Sequence, residues 1–468
     1  MNSPKSNDTK KINSPENLKG IPALGKWKLT KWFPALYRNT LPTVVKLTAK
    51  HGDLLNLKWS NNSRMILANH PKYVQHILKT NQDNYSRKNI LGNLANFLGE
   101  GLFASEGKLW EQQHKLIKPA LHEKLVKDYF GIIHQETKGL IISWKEKSAK
   151  KQSVDIEYDI NVLMLTILIK TQLTSDADLD FKVIIQCLRV FLHENNPKRF
   201  YFTKAKNQLR KLFGLKELPN KRSNEALKTL DAIISNIRLK ANTNPDSIGL
   251  VLQVLENAKS EGIISDKQVC DEIKNFFFAG FDTTASALTW SLYCYAKNDQ
   301  EAELINQEVD SVLQGKDPSM QDLGSMTYTK MFLQESMRMY PPVYALLRVS
   351  EKDDNMDGYF VPKKTWVAIN IFALHRHPDF WDNPEQFNPE RFQPKIFKGK
   401  AFAYIPFGQG KRSCIGKPLA MAELQIILPM ILSQFKLELV DKKEPVISPD
   451  IIIKVKKPMM MNLFLRNN

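Results

Sequence analysis

From about His70 to Tyr340 the chain carries the apolar spacing of helices almost without pause, and extended patterns occur only outside that run. Strand signals precede it at Leu54–Trp59 and Arg64–Ala68. Pro341–Pro342 close it, and strands at Leu346–Ser350 and Thr365–Asn370 follow. An irregular Pro/Asn-rich stretch spans about 378–400. A glycine-rich loop then surrounds Cys414, and a helix from Ile415 to about Phe435 leads into closing strands. Such a pattern restricts the fold class to mainly α with a smaller β-rich lobe. Within the helical run, Ser265–Lys297 reads as one helix of unusual length, starting at an N-cap-like Ser265–Asp266.

Length alone would allow about two to three domains. Past the polar opening, however, no Gly/Ser-rich or Pro-rich linker and no repeat divides the 468 residues. The organisation expected is a flexible polar segment over 1–20 and a single domain over 21–468. A hydrophobic content of 43% is ample for a large core, which excludes a disordered chain.

Only four cysteines occur, Cys187, Cys270, Cys294 and Cys414, and none forms a CxxC pair. A disulfide framework and a structural zinc site are therefore disfavoured, and a reducing, cytoplasmic setting is expected. No apolar run reaches the roughly 18 residues of a spanning helix, and the start lacks a signal-peptide pattern. The expectation is a chain neither membrane-spanning nor secreted. Peripheral contact is left open at Gly25–Lys31 with Trp32–Phe33, a stretch that also suits packing on the β lobe. The net charge of +18 is spread along the whole chain, with no arginine-rich helix and no aromatic-interleaved RNA motif. Nucleic acid is not the expected partner; an acidic protein or a charged ligand is.

Residues 406–420, PFGQGKRSCIGKPLA, crowd two glycines and two basic residues ahead of one cysteine. A lone cysteine is ordinarily a small buried hydrophobe, and Cys187, Cys270 and Cys294 are read so. Cys414 stands apart. Gly408 and Gly410 remove side chains where a flat group would approach the backbone. The amides of Ile415 and Gly416, at a helix start, are expected to point at the sulfur and favour its thiolate. Arg412 offers a fork for a carboxylate on the same ligand. A thiolate, a flat approach surface and an anion clamp together describe a haem held by cysteine.

Phe407-x-x-Gly410-x-Arg412-x-Cys414-x-Gly416 resembles, at every fixed position, the haem-binding signature of the cytochrome P450 family. Three further motifs carry the resemblance. The first, Ala279-Gly280-Phe281-Asp282-Thr283-Thr284, sits mid-helix, where Gly and Asp are poor formers. Thr283 can bond back to the carbonyl of Ala279 and open the ladder, and Gly280 can pass close to a flat ring. A tolerated kink would explain the same residues.

The second motif is Glu335-x-x-Arg338 with Pro389-Glu390-Arg391-Phe392. Locally it is no more than an i,i+3 helix pair. The resemblance implies a buried network of Glu335, Arg338 and Arg391 that fixes the cysteine loop. The third is Trp110-x-x-x-His114, one helical turn apart, which is similar to the family's Trp-x-x-x-Arg grip on a haem propionate. Here His114 replaces the Arg, and a His is charged only part of the time near neutrality. Arg348 matches the position of another propionate-binding Arg.

The resemblance, over about residues 20–468, implies a triangular helical domain around a buried haem b with Cys414 as the axial iron ligand. It implies insertion of one oxygen atom from O2 into a C–H or double bond, with Asp282 and Thr283 handling protons. It places the pocket at the loop about 85–105, Phe276, Phe277, Ala279, and Val343–Leu347, including Leu346 and Leu347. These largely apolar residues suit a hydrophobic molecule such as a fatty acid or terpenoid. No flavin or ferredoxin segment is recognisable. Electrons from NAD(P)H are therefore expected through a separate ferredoxin, flavodoxin or reductase docking on the basic cysteine side. The alternatives are a peroxide-driven peroxygenase and a haem-based sensor or carrier. Neither needs the Asp282–Thr283 pair.

Overall fold

A computed structural model describes residues 19–58, 64–87, 90, 94–176, 179–194 and 221–466. Within these, a large helical region packs beside a lobe built on a six-stranded sheet. The expected flexible start falls mostly outside the described residues. Lys19, inside it, is held: its N–H donates to Gly358 O and its carbonyl accepts from Phe360 N–H.

The sheet runs Ala23–Gly25, Leu54–Lys58, Arg64–Ala68, Trp366–Asn370, Ala345–Ser350, Tyr85–Ser86 in spatial order. Strands far apart in sequence thus lie side by side. Met65 stands opposite Trp366 in a parallel pair, and Arg348 opposite Val367 in an antiparallel one. A smaller sheet joins Phe435–Leu439, Met460–Leu465 and Val154–Asp155, and a hairpin pairs Ile447–Pro449 with Ile453–Val455. Met459 and Met461 are buried in the main core.

The helix Lys26–Arg38 lies against the sheet through Leu29, Trp32 and Leu36, while Trp27 and Phe33 stand out to solvent. Among the described residues no helix is long and apolar enough to cross a membrane.

The long helix expected over Ser265–Lys297 is two. Its start is capped reciprocally: Gln268 N–H donates to Ser265 Oγ (3.2 Å) and Ser265 N–H to Gln268 Oε1 (2.8 Å). The first part ends at Ala279 and the second runs Asp282–Lys297, with Gly280–Phe281 between them. The break follows from composition. Gly280 lacks helix propensity, and Thr283 Oγ1 donates to Ala279 O at 2.9 Å, a carbonyl the helix would otherwise use. A Cβ on Gly280 would meet Phe276 O at 2.7 Å and Leu168 Cδ1 at 2.8 Å, so on the protein side its bareness admits Leu168.

Candidate active site

Exposure along the split helix has a helical period. Phe276, Ala279, Gly280 and Thr283 are accessible in a segment whose other residues from Asp271 to Tyr295 are buried. The spacing i, i+3, i+4, i+7 puts them on one face, and accessible space lies beside that face. Phe277 is fully buried in the core, so it does not line that space as expected. Leu346 and Leu347 separate for a similar reason, because neighbours on a strand face opposite ways. Leu346 comes within 3.8 Å of the Cβ position of Gly408. Leu347 packs on the far cluster with Leu24 and Leu29. Val343 is half-buried at the start of the same segment.

Cys414 is accessible although protein surrounds it closely, as befits a group facing inward space. Its own N–H donates to Phe407 O at 2.9 Å, closing the loop. The amides at its sulfur are those of Gly416 and Lys417, where the helix Lys417–Leu432 begins, and not that of Ile415. Burial outweighs them and pushes the thiol pKa up, which corrects the expectation that the helix end alone would favour the thiolate. A bound cation supplies what the amides lack. Gly410 serves a different end from the one expected: its φ is +78°, and a Cβ there would lie 1.7 Å from Leu78 O. Its bareness seats the loop on the turn His76–Thr80. Gly408, at φ +68°, would place a Cβ in ordinary contact with Leu346 and Ser413, so its left-handed backbone and not crowding is what favours glycine there.

Positive charge gathers next to this loop. Arg412 Cζ lies 4.1 Å from the ring centre of Trp110, which also has Lys411 Nζ at 5.6 Å and the His114 ring at 4.7 Å. Arg348 is buried and donates to its neighbour's carbonyl, Leu347 O, at 2.8 Å. Arg87, not foreseen from the sequence, lies 4.3 Å over the ring of Phe103. Burial, and next the mutual repulsion of the guanidiniums, depress Arg87 to about 9 and Arg348 to about 10; burial also lowers Arg412. Glu106 is the carboxylate that opposes them. It lies 3.2 Å from Arg412 Nη2 and accepts the Arg87 N–H at 3.1 Å. Arg412 Nη1 is buried with no partner.

Three guanidiniums against one carboxylate leave a deficit of two negative charges. A haem, with two propionates and an iron for Cys414, fits that deficit and the inward-facing sulfur. His114 is held below its ordinary pKa by burial, then by Lys118 and Arg412, so it adds little charge near neutrality.

Behind the loop, Glu335 and Arg338 are both fully buried and joined by two hydrogen bonds of 2.6 and 2.8 Å. Arg391 Nε stands 3.4 Å from Glu335. Arg338 also donates to the carbonyls of His375, Pro384 and Gln386. His375, also unforeseen, completes the link. Its Nδ1 faces Arg338 O at 3.2 Å and its Nε2 accepts Ile405 N–H at 2.9 Å, just before the cysteine loop. Burial lowers its pKa to about 3, so it stays neutral, as those two bonds require.

A second group missed from the sequence holds the loop ahead of Trp110. Asp271, Glu272 and Asn275 accept the N–H groups of Glu100, Leu102 and Phe103 at 3.0, 3.0 and 2.8 Å. Asp282 does not face the break. It is buried and paired with Lys454 at 2.8 Å.

The sequence pattern of the family described as Cytochrome P450 matches residues 15–463. Human Cytochrome P450 4B1 is 28% identical over 385 residues, 78% of this chain and 75% of that protein. Cyclooctat-9-en-7-ol 5-monooxygenase of Streptomyces melanosporofaciens is 28% identical over 411 residues, 86% of each. The crystal structure of the cytochrome P450DA heme domain superposes with a TM-score of 0.82 at 21% identity, covering 96% of this chain and 98% of that one. The motifs, the split helix, the thiolate loop and the match across nearly the whole length agree: the chain belongs to the cytochrome P450 family of monooxygenases.

Proposed function

We propose that this protein inserts one oxygen atom of O2 into a hydrophobic, lipid-like molecule of the fatty-acid or terpenoid kind, by hydroxylation or epoxidation. The observation that carries the reading is the acid–hydroxyl pair retained at a helix break. Thr283 lies on the accessible face with Phe276, Ala279 and Gly280, and Asp282, its neighbour in sequence, is buried beside it on Lys454. Haem supplies dioxygen binding and one-electron chemistry when bound. Cys414 would hold its iron, and Arg87, Arg348 and Arg412 its propionates, with Trp110 and His114 alongside.

The chain's own residues do the rest. Phe276, Ala279, Val343 and Leu346 offer apolar surface to the substrate and exclude water. Thr283 holds a hydroxyl beside that space, and Asp282 supplies it with a proton. Glu335, Arg338 and Arg391 keep the loop in place. Support for the substrate class comes from this apolar lining and from a relative named for monooxygenation of cyclooctat-9-en-7-ol.

Electrons reach the protein from NAD(P)H through a separate ferredoxin, flavodoxin or reductase. The net charge of +18, and Lys118, Lys411 and Lys417 beside the cysteine loop, favour an acidic partner in a cytoplasmic setting.

The test is turnover of the holoenzyme with ferredoxin, its reductase and NADPH, against a panel of fatty acids and terpenes under isotope-labelled dioxygen. One labelled oxygen in the product is expected. Product formed only from added peroxide would favour a peroxygenase. Dioxygen binding without turnover would favour a sensor or carrier.

A further inference from the structure

The carboxylate of Asp282 is turned into a buried polar cluster that the site described above does not use. Its partner, Lys454, comes from the strand Ile453–Val455, and Ser286 Oγ fixes that strand by donating to Ile453 O at 2.9 Å. A cavity of about 10 Å³ opens between these groups, with Glu157, Asn161, Asp282, Thr289 and Lys454 among the residues of its wall. The Thr289 hydroxyl there is buried and lacks a hydrogen-bond partner. A space of that size admits about one water, which needs two to four polar partners, and this wall provides them.

Glu157 opens the helix Ile156–Leu168 and is half-buried, so it touches both the cavity and the outside. The charged groups around it come from every neighbouring element: Lys454, Arg189 on the helix Phe181–Glu194, Asp282 and Asp155. Burial dominates, the two cations oppose it and the two acids add to it, and the net result raises its pKa to about 7. Lys454 therefore holds Asp282 and lies within electrostatic reach of Glu157, and one proton satisfies the cluster.

We infer that Glu157 is the loading group of the proton relay, taking a proton from solvent and passing it through this cavity to Asp282. The inference rests on the reading of Asp282 and Thr283 given above. The Glu157 O–H bond breaks as an O–H bond forms on Asp282, with one water accepting a proton on one side and releasing one on the other. Glu157, now a carboxylate, takes over Lys454. Neutral Asp282 is released from the lysine and can turn toward Thr283. After Asp282 gives up its proton it returns to Lys454, and Glu157 reloads from solvent. No electron moves in these steps.

Two measurements on the holoenzyme test this. Infrared difference spectra from about pH 5.5 to 8.5 should contain a carboxyl band with its midpoint near the raised value, absent in Glu157→Gln. Peroxide released per NADPH, with ferredoxin and its reductase in air and no added substrate, should rise about threefold in Glu157→Gln and lose its pH dependence. Glu157→Asp should recover part of the loss. A band that persists in Glu157→Gln overturns the assignment. If Asp282→Asn and Thr283→Ala release more peroxide while Glu157→Gln matches wild type at every pH, Glu157 alone is removed. If all three match wild type, the relay reading falls and this inference with it.

Discussion

Two acidic regions of the molecule, around Glu335 and around Asp282, are satisfied to different degrees. Glu335 has donors for both oxygens, one from Arg338 to each and the Asn388 N–H at 2.8 Å, and the Arg391 guanidinium stands 3.4 Å away as a second counter-charge. Asp282 holds Lys454, whereas Glu157 has cations only at electrostatic range. A network with matched donors has one good arrangement and resists change, whereas one short of a donor has two of similar energy, differing in where a proton sits. Burial of a carboxyl group therefore says little about its role; the count of donors separates a clamp from a relay.

The sharpest way to break this comparison is at the matched network. Arg338→Leu strands the Glu335 charge and three carbonyls, and should cost about 3–5 kcal/mol, read as a lower urea midpoint and lost haem. Replacing Glu335 and Arg338 together by Leu should do less harm than either change alone. Equal damage would mean that the backbone carbonyls, not the charge pair, dominate.

Gly280→Ala, at the break, should cost about 2 kcal/mol through the contact with Leu168. Leu168→Ala in the same protein should return part of it. Full tolerance would show that the break is set by Thr283 alone.

The under-matched cluster makes a prediction with a sign. The folded-state pKa of Glu157 lies above its ordinary value, so its favourable contribution is complete below that ordinary value and lost as pH rises through about 7. Wild type should thus lose about 1–2 kcal/mol relative to Glu157→Gln between roughly pH 5 and 8.5. Thermal midpoints across that range check it, and parallel curves would mean that Glu157 is solvated as an ordinary acid.

The smallest effect is expected at His114. Arginine there adds a charge where three guanidiniums already stand, so haem transfer to an acceptor protein should slow by less than about tenfold. A larger change would shift the weight of propionate binding onto Trp110 and its partner.

The sequence made the reactive ends of these regions readable and left their supports hidden. Cys414, Arg412, Asp282 and Thr283 announce themselves because unusual residues crowd within a few positions, where local structure disfavours them. Arg87, Glu106, His375, Glu157 and Lys454 look ordinary where they stand and acquire meaning only when the sheet and the late hairpin bring them together. The Asp271–Glu272–Asn275 grip is missed as well, because nothing local identifies backbone N–H groups of a distant loop as its targets. The single long helix failed at Gly280–Phe281 because apolar periodicity continues across a break that side-chain hydrogen bonding creates.

The strand carrying Lys454 has a consequence for the order in which the protein becomes competent. Ile453, tied to Ser286, lies 167 residues downstream of it, and its N–H also reaches Pro342 O at 3.0 Å. During synthesis at about 5–20 residues per second, the split helix emerges well before that hairpin exists. For those seconds Asp282 is an acid without its lysine. The hairpin then acts as a late latch, and its arrival gives the buried acid its charged partner.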